Sequence, residues 1–211
     1  MERGRAAGSG TRARRRQLAA ACAVVGLMAA SAAGALGQAM PQVLREKIAQ
    51  CEACHGKDGR SPEPRIPHIG GQPKLAVMYQ LFFYREGRRK NEEMNLIAKD
   101  LTDADLTAIA EHVAKLPPPP MVADAVDAAR YKRGADFAAQ RQCASCHNPD
   151  FSGREQMPRL AGQHEAYTVK ALQDYRTGAR IGTQAVMAEA VRGLTDADFS
   201  DLAYFLARVR P

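Results

Sequence analysis

The sequence predicts an all-α fold made of two tandem copies of one small domain. Three observations carry this expectation. Blocks of residues return in the same order 91 to 93 positions apart. Apolar residues recur at helical spacing inside each copy, and no long alternating stretch marks a sheet. A chain of 211 residues has room for one or two domains. With six Phe, six Tyr and no Trp, two small domains would bury little aromatic surface. They would be marginal unless something else filled their cores.

Charge narrows the function classes. The net charge is +7, but residues 1–39 hold six arginines and one acid, and the rest of the chain balances at +2. Too little basic excess remains for the large Lys- and Arg-lined surface that phosphate binding needs, so no nucleic-acid partner is expected. An apolar content of 45% excludes a disordered chain.

In chain order, Arg-rich residues 1–16 precede an uncharged run from Leu18 to Leu36, followed by Gly37-Gln38-Ala39. This is the layout of a cleaved secretory signal peptide, here 1–39. The alternative is a retained membrane anchor, but so much Ala and Gly would insert weakly. The mature chain is therefore expected in an exported, periplasmic compartment. The first copy, 40–116, opens with a helix in VLREKIAQ (43–50), followed by CEACH (51–55) and a Pro/Gly-rich loop (56–73). A helix over about 74–86 sets Leu75, Met78, Tyr79 and Phe82 on one face. LTDAD (101–105) starts another, with Thr102 as cap and Asp105 as capping-box partner. Leu106, Ile109, Ala110 and Val113 then face the core. Pro117 to Pro120 form a stiff spacer that no helix crosses, so 117–123 is read as a linker.

The second copy, 124–211, repeats the plan. ARYKRGADFAAQ (129–140) precedes CASCH (143–147), and a loop over 148–163 contains MPRLAGQ, the counterpart of IPHIGGQ (66–72). A helix follows over about 165–176, ending in Tyr175-Arg176-Thr177-Gly178, which echoes Tyr84-Arg85-Glu86-Gly87. LTDAD (194–198) starts the last helix, capped by Thr195 and Asp198, with Phe199, Leu202, Ala203, Leu206 and Val209 inward.

Cys-x-x-Cys-His is the attachment signature for c-type haem. Two thiols one helical turn apart reach two vinyl groups on one porphyrin edge, and the adjacent His ligates the iron from below. Cys51, Cys54 and His55 would hold one haem, and Cys143, Cys146 and His147 a second. The fifth cysteine, Cys22, lies in the signal segment. A thioredoxin-like pair expects a βαβ context, two zinc-type pairs fit poorly in duplicate domains, and disulfides leave the repeated His unexplained. Two matched copies behind an export signal favour haem. An axial ligand on the other side should also recur. Met94 and Met187 each lie seven residues before the Leu of LTDAD, and no other methionines match in position. They are the expected iron ligands opposite His55 and His147. Met78 and Met157 read as packing. His68, His112 and His164 align with Arg159, Phe205 and Pro73, and unmatched histidines read as surface or hydrogen-bonding groups.

Tandem CxxCH motifs, each followed by a P-x-[LI]-[AG]-G-Q loop, a Y-R-x-G turn, a Met and an L-T-D helix start, resemble the dihaem cytochrome c4 family over about 43–211. That resemblance implies two class I cytochrome c domains, each wrapped around one covalent haem, packed face to face with haem propionates near the interface. It implies His/Met ligation in both. It also implies that Pro67 and Pro158 accept the ring N–H of His55 and His147. The expected role is an electron carrier between respiratory partners, such as a cytochrome bc1-type donor and a terminal oxidase. The alternative is the electron-transfer subunit of a periplasmic dehydrogenase, of the flavocytochrome sulfide or alcohol type. An enzyme in its own right would need an open axial site, against which each copy retains its Met. Arg85, Arg88, Arg89 and Lys90, echoed by Arg176 and Arg180, would steer an acidic partner, pair with propionates, or simply form a solvated turn. Glu92 and Glu93 beside Met94 would, if unpaired, lower the potential of the first haem, because Met187 sits in a neutral run.

Overall fold

The computed structural model describes Met1 and residues 40–122, 124–180 and 185–210. The signal-peptide expectation falls on 1–39, outside the described residues apart from Met1. Gln42–Pro211 form one compact unit. Among the described residues it contains helices and no named strand; the extended pairings are isolated bridges, Arg89 with Arg180 and Arg154 with Met157.

The first half holds α1 (Gln42–His55), a 3-10 turn (Lys57–Gly59), α2 (Lys74–Arg85), α3 (Glu92–Ala98) and α4 (Asp103–Lys115). The second holds α5 (Ala128–Gln140), α6 (Cys143–His147), α7 (Glu165–Thr177), α8 (Ala185–Ala190) and α9 (Asp196–Arg208). α4 packs on α2 and α1; α9 packs on α5 and α7 in the matching arrangement.

Both LTDAD starts form capping boxes. Thr102 Oγ1 accepts from Asp105 N at 3.2 Å while Asp105 accepts from Thr102 N at 2.9 Å. Thr195 and Asp198 do the same. The helices they start bury the expected faces: Leu106, Ile109, Ala110 and Val113 in α4, and Phe199, Leu202, Ala203 and Leu206 in α9, with Val209 buried just beyond. Phe205 gathers the second core, meeting Tyr131 at 5.0 Å and Phe151 at 5.5 Å, both edge to face. At the end of α9, Arg208 lies 3.6 Å from the Tyr204 ring centre and pairs with Asp124 and Glu165.

The halves differ in three ways from the sequence expectation. α1 runs unbroken through CEACH, whereas α5 ends before CASCH because Gln142 takes a left-handed conformation, φ 52°. No glycine stands there to announce the break. Two short helices, α3 and α8, carry Met94 and Met187 in segments where the sequence pattern marks no helix. On α2 the buried residues are Ala76, Leu81, Phe83 and Tyr84, while Leu75 and Tyr79 remain 36% and 40% exposed.

The linker threads between the two glycine loops. Gly71 N–H donates to Val113 O and Gly162 N–H to Leu206 O. Both glycines have positive φ, and a Cβ on either would press on the linker, at 3.0 Å from Pro118 for Gly71 and 3.2 Å from Pro119 for Gly162.

Candidate functional site

His55 closes α1 and His147 closes α6, and both are buried. Nδ1 of His55 lies 2.9 Å from the Pro67 carbonyl oxygen, and Nδ1 of His147 lies 2.8 Å from that of Pro158. A carbonyl only accepts, so each Nδ1 carries the proton and each Nε2 is the bare nitrogen. Burial pushes both imidazoles down toward the neutral form, and the proline bond opposes it only in part. Nε2 of His147 is buried without a protein partner. A neutral ring, oriented through Nδ1–H and offering Nε2, is the donor that iron accepts.

No disulfide joins the four described cysteines, and burial pushes the thiols of Cys51 and Cys143 up. No cluster of three or more His, Cys, Asp or Glu able to hold a metal ion occurs among the described residues, which disfavours zinc. The helical setting disfavours a thioredoxin-like pair. Cys51 and His55 share a small cavity with Ile48, Ile69, His112 and Val113. Cys143, Ala144 and Met187 pack on the core of the second half. The donor set, two cysteines in the turn before a neutral, oriented histidine in each half, fits a covalently attached macrocycle with a central iron.

Met94 sits in the first turn of α3, its N–H donating to the Asn91 cap at 2.9 Å. Asn95 fastens that helix by donating to Tyr84 O and Arg89 O. Met187 lies on α8, after residues 181–184, which are outside the described set. Both methionines are half-buried.

Sequence reasoning missed the seam between the halves. Gln163 accepts from His68 N and donates to His68 O, both at 2.9 Å. Its counterpart Gln72 accepts from Arg159 N at 2.9 Å and donates to Arg159 O at 3.0 Å. The repeated Gln of the loop motif was the available signal. The His68 and His164 rings meet tilted by 32°, centres 3.8 Å apart, and His164 donates from Nε2 to Ser61 O at 3.0 Å. Burial, His164 and Arg60 push the His68 imidazole down to about 4.

The basic cluster is mostly consumed inside the molecule. Arg85 binds Glu86, Asp103 and Leu101 O, and Arg176 binds Asp196 and Leu194 O. Arg89 donates to Gln80 and to Tyr167 across the seam, and Arg180 donates back to Gln80 at 3.0 Å. Of the residues expected to steer a partner, pair with propionates or form a solvated turn, Arg88 and Lys90 are left on the surface outside these bonds.

A family model described as Cytochrome c matches residues 131–210. Cytochrome c4 of Pseudomonas aeruginosa is 31% identical over 191 residues, covering 87% of this chain and 92% of the relative. A protein of Thiomonas intermedia named thiosulfate dehydrogenase electron acceptor is 30% identical, covering 86% of this chain and 89% of its own. The crystal structure of reduced recombinant cytochrome c4 from Pseudomonas stutzeri superposes with a TM-score of 0.73 at 30% identity. It covers 82% of this chain and all of that one.

Proposed function

Because the chain belongs to the dihaem cytochrome c4 family, we propose that it relays electrons between respiratory partners in the periplasm, from a cytochrome bc1-type donor to a terminal oxidase. It is a dihaem electron-transfer cytochrome with two covalently attached haems c, and CEACH and CASCH fit their attachment. When bound, each haem supplies a one-electron Fe(III)/Fe(II) couple.

The observation that carries the reading is the duplicated His–Pro pair, with an identical tautomer in both halves. In this reading His55 and His147 hold the irons from one side, and Pro67 and Pro158 fix the rings. Met94 and Met187 close the other side. With both faces filled by side chains no substrate coordination position remains, so the chain is a carrier rather than an enzyme. Met–His ligation raises the potential relative to bis-His. The two pockets belong to two domains, 40–116 and 124–211, joined by 117–123. Residues 1–39 are its export signal, cleaved on maturation; no described helix is long and apolar enough to cross a membrane.

A second reading draws on the relative named for accepting electrons from thiosulfate dehydrogenase. Here the donor is a periplasmic dehydrogenase, and the same pockets serve. Stopped-flow mixing separates the two. Fast oxidation of the reduced protein by oxidase-containing membranes, with fast reduction by a bc1-type complex, supports the first. Reduction by a purified dehydrogenase alone supports the second. Rapid cyanide binding to the native ferric protein would refute both.

A further inference from the structure

His68 and Arg159 occupy equivalent places in the two halves, each one residue past the proline that orients the buried histidine. Arg159 is 9% exposed, and its Nε and one terminal nitrogen are buried without a protein partner. Among the described residues the acid acting on it is Asp150, already hydrogen-bonded to Ser152 N. His68 also has a buried, unpartnered Nδ1. The charged and titratable groups facing it are His164 and Arg60, and neither is an acid. Asp150 acts on the guanidinium only through space, so Arg159 lacks a hydrogen-bonded counter-charge, a costly state for a buried group, and this seam favours an anion.

We propose that Arg159 binds a carboxylate of the second haem and His68 a carboxylate of the first, and that this unequal pair sets the two potentials apart. The proposal rests on the dihaem reading and names side chains for it. A haem carries two ionised carboxylates, and each anchor follows the proline fixed to the histidine of its own half. The backbone of each anchor is gripped by a glutamine of the other half, Gln72 on Arg159 and Gln163 on His68. Docking of the halves therefore positions the anchors. Arginine is permanently charged and pairs bidentately with carboxylates, so it neutralises its partner fully and favours Fe(II). An imidazole does so weakly. The second haem should have the higher potential.

The test uses the full-length holoprotein. Two haems by mass and an intact red methionine–iron band show that the dihaem reading holds in each variant. In Arg159→Gln the higher midpoint potential should fall by about tenfold in the reduction equilibrium, which is about 59 mV for one electron. Arg159→Lys should recover part of this, and His68→Gln should shift only the lower potential. Two haems with both potentials unchanged in Arg159→Gln would overturn the proposal, whereas a wild type lacking haem or the band would strike the dihaem reading instead. If Arg159→Gln does not accumulate, the carboxylate bands in the redox-difference infrared spectrum of Arg159→Lys must shift; unshifted bands overturn it. Potentials that move with added phosphate in the wild type would assign the anchors to a solution anion and overturn it also.

Discussion

Replacing Gln163 by Ala tests the seam most directly. The side chain is buried and makes three hydrogen bonds to backbone. It accepts from His68 N at 2.9 Å and from His164 N at 3.0 Å, and donates to His68 O at 2.9 Å. At about 1 kcal/mol net for each bond, the loss is about 3 kcal/mol. Gln72 makes two such bonds, to Arg159 N and O, so Gln72→Ala should lose about 2 kcal/mol. The assay is denaturant unfolding of the holoproteins followed by far-ultraviolet circular dichroism. The variants should rank wild type, Gln72→Ala, Gln163→Ala in falling stability. A loss under about 1 kcal/mol in Gln163→Ala, or a reversed order, would refute the view that these amides hold the halves together.

Three further outcomes follow from the same geometry. Burial pushes the Tyr167 phenol up, but Arg89 and Arg180 outweigh it and bring it down to about 7. The folded chain then binds fewer protons than the unfolded chain between about pH 7 and 10, so stability rises across that window and the gain is lost as pH falls through 7. Tyr167→Phe should flatten this slope in unfolding midpoints, and an ultraviolet tyrosinate signal arising only in strong alkali would contradict it. Glu92 and Glu93 are exposed in the first turn of α3 and make no ion pair among the described residues. Changing both to Gln should raise the first haem's potential slightly, less so in high salt; a fall in redox titration would reverse the sign of the argument. Thr195→Ala removes the cap of α9 and should cost about 1 kcal/mol in thermal unfolding, and no loss would mean the capping box is not made in solution.

Much of this molecule can be read from its residues. The repeat located both histidine pockets, because a CxxCH motif and a proline loop at fixed spacing have few other uses. The capping boxes were equally plain, since Thr and Asp three apart before an apolar helical pattern leave little ambiguity. The break at Gln142 was hidden because a non-glycine residue took left-handed geometry. The short helices around Met94 and Met187 were hidden because six or seven residues carry too little periodicity to separate from loop. The seam was hidden for a different reason. Gln72, Gln163, His68 and Arg159 act across 87 to 95 residues of sequence, where local pattern is silent. Repeat position alone aligns His68 with Arg159, but their shared role needed the buried, unpartnered nitrogens.

The proposed carrier role requires Met94 and Met187 each to close an iron opposite a histidine. The red methionine–iron charge-transfer band of the oxidised protein, scaled to haem content, measures this. It should report two methionine-ligated irons in the wild type, fall by half in Met94→Ala and by the other half in Met187→Ala, with two haems still attached by mass. A band that survives either substitution at full strength would contradict it.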